Sequence, residues 1–508
     1  MWYIGHMSEQ EKIGAFIKSL RERKGMTQGA LAESLGTSQS AVARMEAGKQ
    51  NFTTKELGKI SIALESRIMT LPESTDFRIE GGRKLKGSIT TNYSKNGSVV
   101  LLCAALLNRG RTTLHGISRI EEVNRLIELL ESIGVSVRWT EKNTVEIVPP
   151  KRFSLSTLDV SAAARVRSSL MLIGPLIHFF PSFNLPHAGG CKMGNRTIAA
   201  HRYGLEELGV SIVTRENDYH VSTKKLHHAD VVMYEAGDTA ANNLIMAAAL
   251  IPGATTIRFA PPNYQVQELC FFLEKMGVKI EGVGTTTLVV HGVTNIDTTI
   301  EHHNSEDPIE SMMFISAAIT THSTLEVTRC PIDFLALELL KLEKMGQKFR
   351  ISKPYFAENG RTKLVDIAIA PSALRAPLDK IHSLPYPGIN TDNLPFFVPI
   401  ATQAKGTTLI HDWMWENRAI YFTELNRLGA RVDLADPHRV FVTGPSKLRA
   451  AQIVCPPALR PAMIILIGML AAEGTSYLRN VYSINRGFEN IAERFNAIGA
   501  NIQVLNGI

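Results

Sequence analysis

A glycine-rich loop carries the side chain best suited to covalent or acid-base chemistry. The segment from Leu185 to Arg196 reads LPHAGGCKMGNR, so Cys191 follows two glycines and precedes an arginine by five residues. Glycines on both sides leave the backbone free to move and to expose the thiol, whereas an isolated structural cysteine is usually buried in a core. The pattern therefore predicts a mobile loop with a reactive thiol.

Three further segments place cations where they could hold an anion. Lys95 lies in SKNG at the start of an apolar helix, Ser98–Leu107, and a lysine there opposes the helix dipole unless an anion shares the site. Arg167 precedes a second apolar helix, and Arg418 ends the sequence WENR. Taken alone, each arginine is equally well explained as a surface ion pair. Together with Arg196 they supply four cations, and guanidinium forks suit phosphate and carboxylate groups.

Two acidic segments could supply a general base. Asp307 lies in EDPIE, directly before a helix at Ser311–Ile319, and Asp392 lies in NTDN. An ionised carboxylate can take a proton from a hydroxyl when it lies within hydrogen-bond reach. Asp307 is equally well explained as a helix N-cap, because an aspartate there accepts backbone N–H bonds. The residues alone leave both interpretations open.

An internal repeat must position these segments. A phrase of helix, glycine and strand recurs six times, around Gly134, Gly209, Gly277, Gly346, Gly429 and Gly499. In each phrase the glycine takes the left-handed position that ends a helix, and a strand follows. A second apolar helix, followed by a turn like Gly-Thr-Thr, recurs five or six times. Six units of about 70 residues predict an α/β protein with two lobes of three units each.

The composition indicates a globular chain of several domains. Its 508 residues are 44% hydrophobic and 20% charged, and domains usually hold about 100–200 residues. The longest apolar run, Ala462–Ala472, is too short to cross a bilayer, so we expect no membrane span and no export. Five scattered cysteines favour a reducing cytoplasm. The net charge of +7 suits nucleic acid and anionic small substrates alike.

The N-terminal segment predicts a small module of four helices. Thr27 caps the second helix, Gly36 makes a turn, and the third helix begins near Ser38. The sequence GMTQGALAESLGTSQSAVARMEAGKQNFTTKEL resembles the phage-repressor-like helix-turn-helix family, in which the third helix enters the major groove of double-stranded DNA. The resemblance implies a homodimer and contacts to DNA from Gln28, Ser38, Gln39, Ser40 and Arg44. The alternative is a dimerisation or relic domain that no longer binds DNA.

Six βαβαββ-type units, with the segments described above, resemble the enolpyruvyl transferases of the UDP-N-acetylglucosamine 1-carboxyvinyltransferase type. The resemblance runs from Phe77 to about Val504 and implies a two-lobed inside-out α/β barrel, preceded by the small all-α helix-turn-helix domain. It also implies a cytoplasmic enzyme of peptidoglycan synthesis that uses phosphoenolpyruvate and a UDP-sugar or related nucleotide. We expect the helix-turn-helix domain at 8–70, a linker at 71–76, lobe one at 77–94 and 297–508, and lobe two at 95–296.

The resemblance implies a role for each candidate residue and requires neither a metal nor an organic cofactor. The cysteine loop would be a lid, and Cys191 would protonate the methylene carbon or assist product release. Asp307 would be the general base, and Asp392 would handle substrate and protons. Catalytic roles of Lys95 and Arg418 are implied as well. Phosphoenolpyruvate binding is implied for Lys95, Arg167, Arg196 and Arg418. Acceptor binding is implied for Asn96, Arg196, His201, Asp307 and Asp392.

Two departures from the family pattern concern the acceptor. The family follows the loop arginine with Pro-Val-Asp-Leu-His, but this chain has Thr-Ile-Ala-Ala-His, so Ala199 stands in place of the aspartate. The diphosphate-binding turn Ser-Val-Gly appears here as Gly237-Asp238-Thr239, and Glu235 replaces a lysine. These changes leave the phosphoenolpyruvate segments intact. They keep open an acceptor that is another nucleotide or nucleotide-sugar, or a transcription regulator whose enzyme-like body senses such a ligand.

Overall fold

The computed structural model describes residues 9–50, 52, 54–64, 75–189 and 197–506. The chain divides into two compact units, Met1–Ser74 with Asn506–Ile508, and Thr75–Leu505. Among the described residues, no helix is both long and apolar enough to span a membrane. Each unit is described separately.

The N-terminal unit contains the four predicted helices, α1 Glu9–Arg23, α2 Gln28–Leu35, α3 Gln39–Glu46 and α4 Thr54–Ala63. The predicted caps are confirmed, since Thr27 Oγ1 accepts the N–H of Ala30 and Ser38 Oγ accepts the N–H of Ala41. Gly36 ends α2 with a φ of +63°. These helices enclose a small apolar core of Ile17, Leu31, Ala32, Val42, Met45, Leu57, Ile60 and Leu64.

In the second unit, short helices alternate with strands along the chain. The helices are α5 Lys95–Ala104, α6 Glu121–Ser132, α7 Val160–Arg165, α8 Ile173–Leu176, α9 Ala199–Glu206, α10 Asp238–Ala249, α11 Tyr264–Lys275, α12 Pro308–Thr320, α13 Ala336–Lys344, α14 Phe397–Ala401, α15 Leu459–Ala471, α16 Tyr482–Asn485 and α17 Ile491–Ala497. Turns of 3-10 helix occupy Ala105–Leu107, Arg167–Leu172, Ile332–Phe334, Leu394–Phe396 and Ala419–Leu428.

The strands are similarly short. They are β1 Thr75–Gly81, β2 Ser88–Thr90, β3 Thr112–His115, β4 Ser136–Glu141, β5 Thr144–Val148, β6 Ser182–Pro186, β7 Val210–Thr214, β8 Asp218–Thr223, β9 Asp230–Val232, β10 Gly253–Arg258, β11 Lys279–Glu281, β12 Thr287–Gly292, β13 Ile300–His303, β14 Leu325–Pro331, β15 Lys348–Ile351, β16 Tyr355–Phe356, β17 Lys363–Ala370, β18 Ile381–His382, β19 Gly406–His411, β20 Arg431–Asp436, β21 Arg439–Gly444, β22 Gln452–Val454, β23 Gly474–Arg479 and β24 Ile502–Asn506.

The sixfold repeat is present in the structure. Within the described residues the strands form six small sheets, in the orders β22-β23-β1-β24, β15-β17-β14-β2, β18-β19-β21-β20, β13-β3-β5-β4, β6-β8-β7 and β11-β12-β10-β9. Five of them are mixed, and β6-β8-β7 is antiparallel. The six repeat glycines all have a φ between +86° and +99°, which confirms their left-handed position at helix ends. Each repeat therefore supplies most of one sheet and its helices, while β1, β2 and β13 join the sheets of repeats far away along the chain.

Two hydrophobic cores lie inside the second unit. The first core is built from residues 77–85 and 309–502 together with Tyr264, and the second from residues 99–300. Apolar helices fill the interiors: every residue of α12 is buried, whereas β10 alternates between buried and exposed positions. The predicted α/β fold, with helices inside and sheets outside, is confirmed. The chain passes between the cores near residues 85–99 and 300–309.

Candidate active site

A cavity of about 660 Å3 lies between the two hydrophobic cores. On the second-core side, the cavity is lined by the start of α5 and the turn before α10. On the first-core side, it is lined by residues between 384 and 392 and by the start of α15. Five residues selected from the sequence line it, namely Lys95, Asn96, Arg167, His201 and Asp392. Segments far apart along the chain thus meet at one site, which we call the interlobe cavity.

Lys95 reaches the interlobe cavity from the first turn of α5. The helix begins there because Ser94 Oγ accepts the N–H of Gly97 at 2.9 Å. The Nζ of Lys95 lies 2.7 Å from Oε2 of Glu122, which also lines the cavity. Burial alone would raise the pKa of Glu122, but Lys95, Arg486 and Arg460 outweigh it, and the pKa is lowered. An incoming anion would therefore compete with an ionised carboxylate for Lys95.

Asp392 and Arg460 form a second charged pair on the cavity wall. Arg460 Nη2 donates to Asp392 Oδ2 at 3.1 Å, and only 6% of Arg460 is exposed. Burial would raise the pKa of Asp392, but Arg460 and Arg418 together lower it below its usual value. Asp392 is therefore a carboxylate at neutral pH, oriented from one side by an arginine and lining the cavity on the other.

Arg418 lies behind Asp392 rather than on the cavity wall. The arginine is fully buried, and its Nε and Nη2 donate to the two carboxylate oxygens of Asp412 at 2.5 and 2.7 Å. Nη2 also donates to the carbonyl of Thr391 at 2.7 Å. Nη1 lies 3.7 Å from Asp392 Oδ1 and has no hydrogen-bond partner in the part of the chain that the structure describes. Arg418 therefore stabilises the ionised Asp392 carboxylate from behind the cavity wall.

Asp307 caps a helix and does not line the cavity. Its Oδ1 accepts the N–H of Ile309 at 2.8 Å, and its Oδ2 accepts the backbone N–H of Lys95 at 3.2 Å. Burial raises the pKa of Asp307, and the positive field of Arg460 and these two N–H groups reduce that rise. The carboxylate joins the start of α12 to the start of α5. The structure therefore supports the N-cap interpretation of Asp307.

Three predicted ligand-binding residues lie on the second-core side. Asn96 Nδ2 donates to the hydroxyl of Tyr264 at 2.7 Å, and Arg167 Nη2 donates to the carbonyl of Thr197 at 3.1 Å. His201 Nδ1 lies 2.8 Å from Asn243 Nδ2. Because an amide nitrogen only donates, Nδ1 accepts and the imidazole proton resides on Nε2. The Nε2 proton is directed at Thr239 Oγ1, 3.4 Å away, so His201 joins Asn243 to Thr239 on the cavity wall.

Cys191 and Arg196 lie outside the described residues. Gly189, the last described residue before their loop, is closely packed, because a Cβ there would stand 1.8 Å from the carbonyl oxygen of Ala164. A side chain at position 189 would therefore displace the backbone. Their roles in a lid over the cavity stay predictions from the sequence.

In the N-terminal unit, the five predicted DNA-contacting residues fall into two groups. Gln39, Ser40 and Arg44 are exposed on α3. Ser38 is occupied as the N-cap of that helix, and half-buried Gln28 donates from Nε2 to Glu46 at 2.8 Å. The exposed group lies on one helix, as a major-groove contact requires, and the Ser40 hydroxyl lies 3.0 Å from that of Ser38.

Sequence reasoning missed several charged residues of the interlobe cavity, among them Glu122, Arg460 and Arg486. Arg460 carried a usable signal, because it stands at the start of the longest apolar helix, just as Lys95 starts another. That apolar run served only to exclude a membrane span. Among the described residues, no cluster of histidine, cysteine and carboxylate side chains is arranged to hold a metal ion.

Comparison with known proteins gives the family. The model of the EPSP synthase (3-phosphoshikimate 1-carboxyvinyltransferase) family matches residues 79–495, and a helix-turn-helix model matches residues 17–69. The UDP-N-acetylglucosamine 1-carboxyvinyltransferase of Bradyrhizobium diazoefficiens is 34% identical over 427 residues, which cover 84% of this chain and 97% of that protein. The chain belongs to the EPSP synthase family. It is an enolpyruvyl transferase with an N-terminal helix-turn-helix domain.

Other relatives and solved structures agree with this assignment. The enzyme of the same name from Treponema denticola is 34% identical over 430 residues, covering 84% of this chain and 99% of that protein. The enolpyruvyl transferase NikO from Streptomyces tendae superposes with a TM-score of 0.74 at 22% identity, covering 86% of this chain and all of that one. EPSP synthase from Acinetobacter baumannii gives 0.66 at 18% identity, covering 85% and 100%. These structures share the enolpyruvyl transferase fold.

Proposed function

We propose that this transferase moves the enolpyruvyl group of phosphoenolpyruvate to a hydroxyl of UDP-N-acetylglucosamine and releases phosphate, the first committed step of peptidoglycan synthesis, in the cytoplasm. The observation that carries the proposal is the convergence of Lys95, Arg167 and Arg460 with Asp392 on one cavity. The names of the curated relatives support the choice of acceptor.

The cations suit the donor substrate. Phosphoenolpyruvate carries a phosphate and a carboxylate, and guanidinium groups bind both with paired hydrogen bonds. Lys95, Arg167 and Arg460 line the cavity, and Arg418 adds positive charge from behind Asp392, with Nη1 3.7 Å from Oδ1. Arg196 would add a further guanidinium from the lid. In this proposal, binding of phosphoenolpyruvate replaces part of the ion pairing that Glu122 and Asp392 now provide.

We assign the general base to Asp392 rather than to Asp307. A base must lie within reach of the proton that it takes. Asp392 lines the cavity in ionised form, whereas both oxygens of Asp307 accept backbone N–H groups behind its wall. Asp307 is then a positioning residue that holds the N-terminus of α5, and with it Lys95, in place.

The reaction would proceed by addition and elimination. The acceptor oxygen bonds to C2 of phosphoenolpyruvate as Asp392 takes the hydroxyl proton, and Cys191 donates a proton to the methylene carbon. Loss of a proton from the resulting methyl group then accompanies cleavage of the C2–O bond, and phosphate leaves. The lysine and arginines stabilise the negative charge throughout.

Paired substitutions test the choice of base. Asp392→Asn should lower kcat for phosphate release by about 10²–10⁴, the usual contribution of general acid-base catalysis. Asp307→Asn should lose much less activity, because the amide oxygen of asparagine can keep the N-cap bond to Ile309 and only the longer bond to the N–H of Lys95 is lost. A silent Asp307→Asn enzyme beside an active Asp392→Asn enzyme would reverse the assignment.

The two-lobed division supports a closing motion as part of the same proposal. We propose lobe one at 77–94 and about 304–508 and lobe two at 95–303, which moves the boundary expected at 296–297 to the end of β13, with the helix-turn-helix domain at 8–70 and the linker at 71–76. β13 pairs with β3 and belongs to the sheet of the second core, whereas Asp307 starts a helix of the first. Binding of both substrates should shrink the particle in solution scattering if the lobes close on the interlobe cavity.

We also propose that the helix-turn-helix domain binds a specific double-stranded DNA site as a homodimer. The exposed side chains of Gln39, Ser40 and Arg44 on α3 support the proposal. Selection of bound sequences from a random DNA pool with the full chain would supply the site. Arg44→Ala should then weaken binding in fluorescence anisotropy, while Lys24→Ala on α1's C-terminal side serves as a charge-matched control. Selection that enriches no sequence would contradict the proposal.

A further inference from the structure

The geometry points to a subsite at the start of α10 that binds an uncharged, hydrogen-bond-donating group of the acceptor, a hydroxyl or an amide N–H, and rejects a phosphate group. The subsite consists of Asp238, Asn242 and Ser168, which all line the interlobe cavity. This inference rests on the proposed function only in that the acceptor enters this cavity. It assigns these three residues as determinants of acceptor specificity.

Asn242 supplies an unmet hydrogen-bond acceptor. Its exposed fraction is 1%, yet it lines the cavity, and its Oδ1 is buried with no hydrogen-bond partner among the residues that the structure describes. An unsatisfied buried oxygen costs free energy, so such groups normally have a partner. A donor on the ligand would satisfy Oδ1. A phosphate group of a nucleoside diphosphate is ionised at neutral pH, has no proton to donate and would leave Oδ1 without a partner.

Asp238 puts a negative charge one helical turn before Asn242, on the same face of α10. Its Oδ2 accepts from Asn263 Nδ2 at 2.8 Å. Burial raises the pKa of Asp238 to about 6, although hydrogen bonds from Asn263 and Gln265 oppose the rise. At neutral pH the group is therefore mostly a carboxylate. It already provides the anion that the N-terminus of a helix attracts, so a phosphate there would meet a like charge.

Ser168 completes the subsite from the 3-10 segment Arg167–Leu172. The residue is 6% exposed and lines the cavity, and within the described ranges its Oγ has no hydrogen-bond partner. A hydroxyl can both donate and accept. The subsite therefore offers one carboxylate, one amide oxygen and one hydroxyl, and a ligand group that donates hydrogen bonds satisfies all three.

The charges around the subsite explain how it would distinguish a hydrogen-bond donor from a phosphate group. Glu235, which also lines the cavity, adds a second carboxylate three residues before Asp238, and the cations Arg165 and Arg167 line the cavity on the segment that leads to Ser168. Specificity often comes from repulsion of the wrong group as much as from attraction of the right one. For UDP-N-acetylglucosamine, a sugar hydroxyl, the acetamido N–H or the uracil N–H would face Asp238 and Asn242, and the diphosphate would lie against the arginines.

Binding measurements on the full-length protein test the sign of the effect of Asp238. Trp413 and Trp415 line the cavity, so UDP-N-acetylglucosamine binding can be followed by tryptophan fluorescence. Asp238→Asn should weaken binding about tenfold or more, because hydrogen bonds to a charged acceptor are the strong ones. If a phosphate sits at the start of α10 instead, the same substitution removes a repulsion and tightens binding. Tighter or unchanged binding overturns the inference.

Substitutions of Asn242 separate the hydrogen bond from simple packing. Asn242→Leu should weaken binding about tenfold, and Asn242→Asp, which keeps an acceptor at the same place, should restore most of it. Equal losses in both variants would overturn the inference. Asp230→Asn removes one negative charge from an exposed position in the same lobe and should leave binding unchanged. Thermal unfolding of every variant shows whether it is folded.

Phosphate release distinguishes failure of this inference from failure of the proposed function. Wild-type binding without release of phosphate, together with weaker binding by Asp238→Asn, would refute transfer to this acceptor and keep the subsite. Turnover by the wild type together with tighter binding by Asp238→Asn would refute the subsite and keep the proposed transfer to this acceptor. A wild type that does not bind UDP-N-acetylglucosamine at millimolar concentration would overturn both.

Discussion

Replacing Asp412 by asparagine tests whether a buried ion pair holds the cavity wall behind Asp392. The side chains of Asp412 and Arg418 are fully buried and share two hydrogen bonds of 2.5 and 2.7 Å. The substitution leaves the buried guanidinium with only the more distant carboxylate of Asp392, 3.7 Å from Nη1. Removing one partner of a buried pair typically costs about 3–5 kcal/mol. We expect that loss in the free energy of unfolding of the lobe that contains the pair.

An exposed pair of similar geometry provides the control. Asp230 and Arg258 also share two hydrogen bonds, of 2.7 and 2.8 Å, but both side chains are about half exposed. Exposed pairs contribute about 0–1 kcal/mol, so Asp230→Asn should change stability little. The assay is urea denaturation followed by tryptophan fluorescence, because Trp413 and Trp415 lie near Arg418. Equal small losses in the two variants would refute the reasoning that burial makes the Asp412 pair important.

Three further predictions follow from the local structure. Gly209→Ala should lower the free energy of unfolding more than Gly277→Ala. Both glycines are left-handed, but only at position 209 would a Cβ meet a carbonyl oxygen, that of Lys225 at 2.4 Å. Gly277→Ala should cost about 1–2 kcal/mol in thermal or urea unfolding. Affinity for UDP-N-acetylglucosamine should rise as pH increases through about 6, because Asp238 loses its proton there, and Asp238→Asn should abolish that rise. Fosfomycin with acceptor should alkylate Cys191, and an unchanged mass of the protein would count against the lid.

The sequence predicted correctly those structural features that depend only on neighbouring residues. Thr27 and Ser38 cap helices through bonds within three residues, and the repeat glycines end helices by their own backbone conformation. Lys95 at the start of an apolar helix likewise indicated its place on the cavity. These features depend on a few neighbouring residues, so the sequence contains them directly.

The choice between two carboxylates depended on long-range packing. Asp307 and Asp392 both precede apolar helical segments, and nothing in either local sequence says which faces the interlobe cavity. In the structure α12 lies inside the first core, and Asp307 at its start accepts the backbone N–H of Lys95, more than 200 residues away along the chain. Arg460 was missed for a similar reason, since its partner Asp392 is 68 residues away.

Acceptor-dependent phosphate release is the most direct test of the central claim, that the interlobe cavity carries out enolpyruvyl transfer. The wild-type chain would be incubated with phosphoenolpyruvate, with and without UDP-N-acetylglucosamine, and phosphate and product mass would be measured together. We predict phosphate release only with the acceptor, in equal amount to a product that has gained the enolpyruvyl group. No release above the acceptor-free control, or release without that product, would contradict the account.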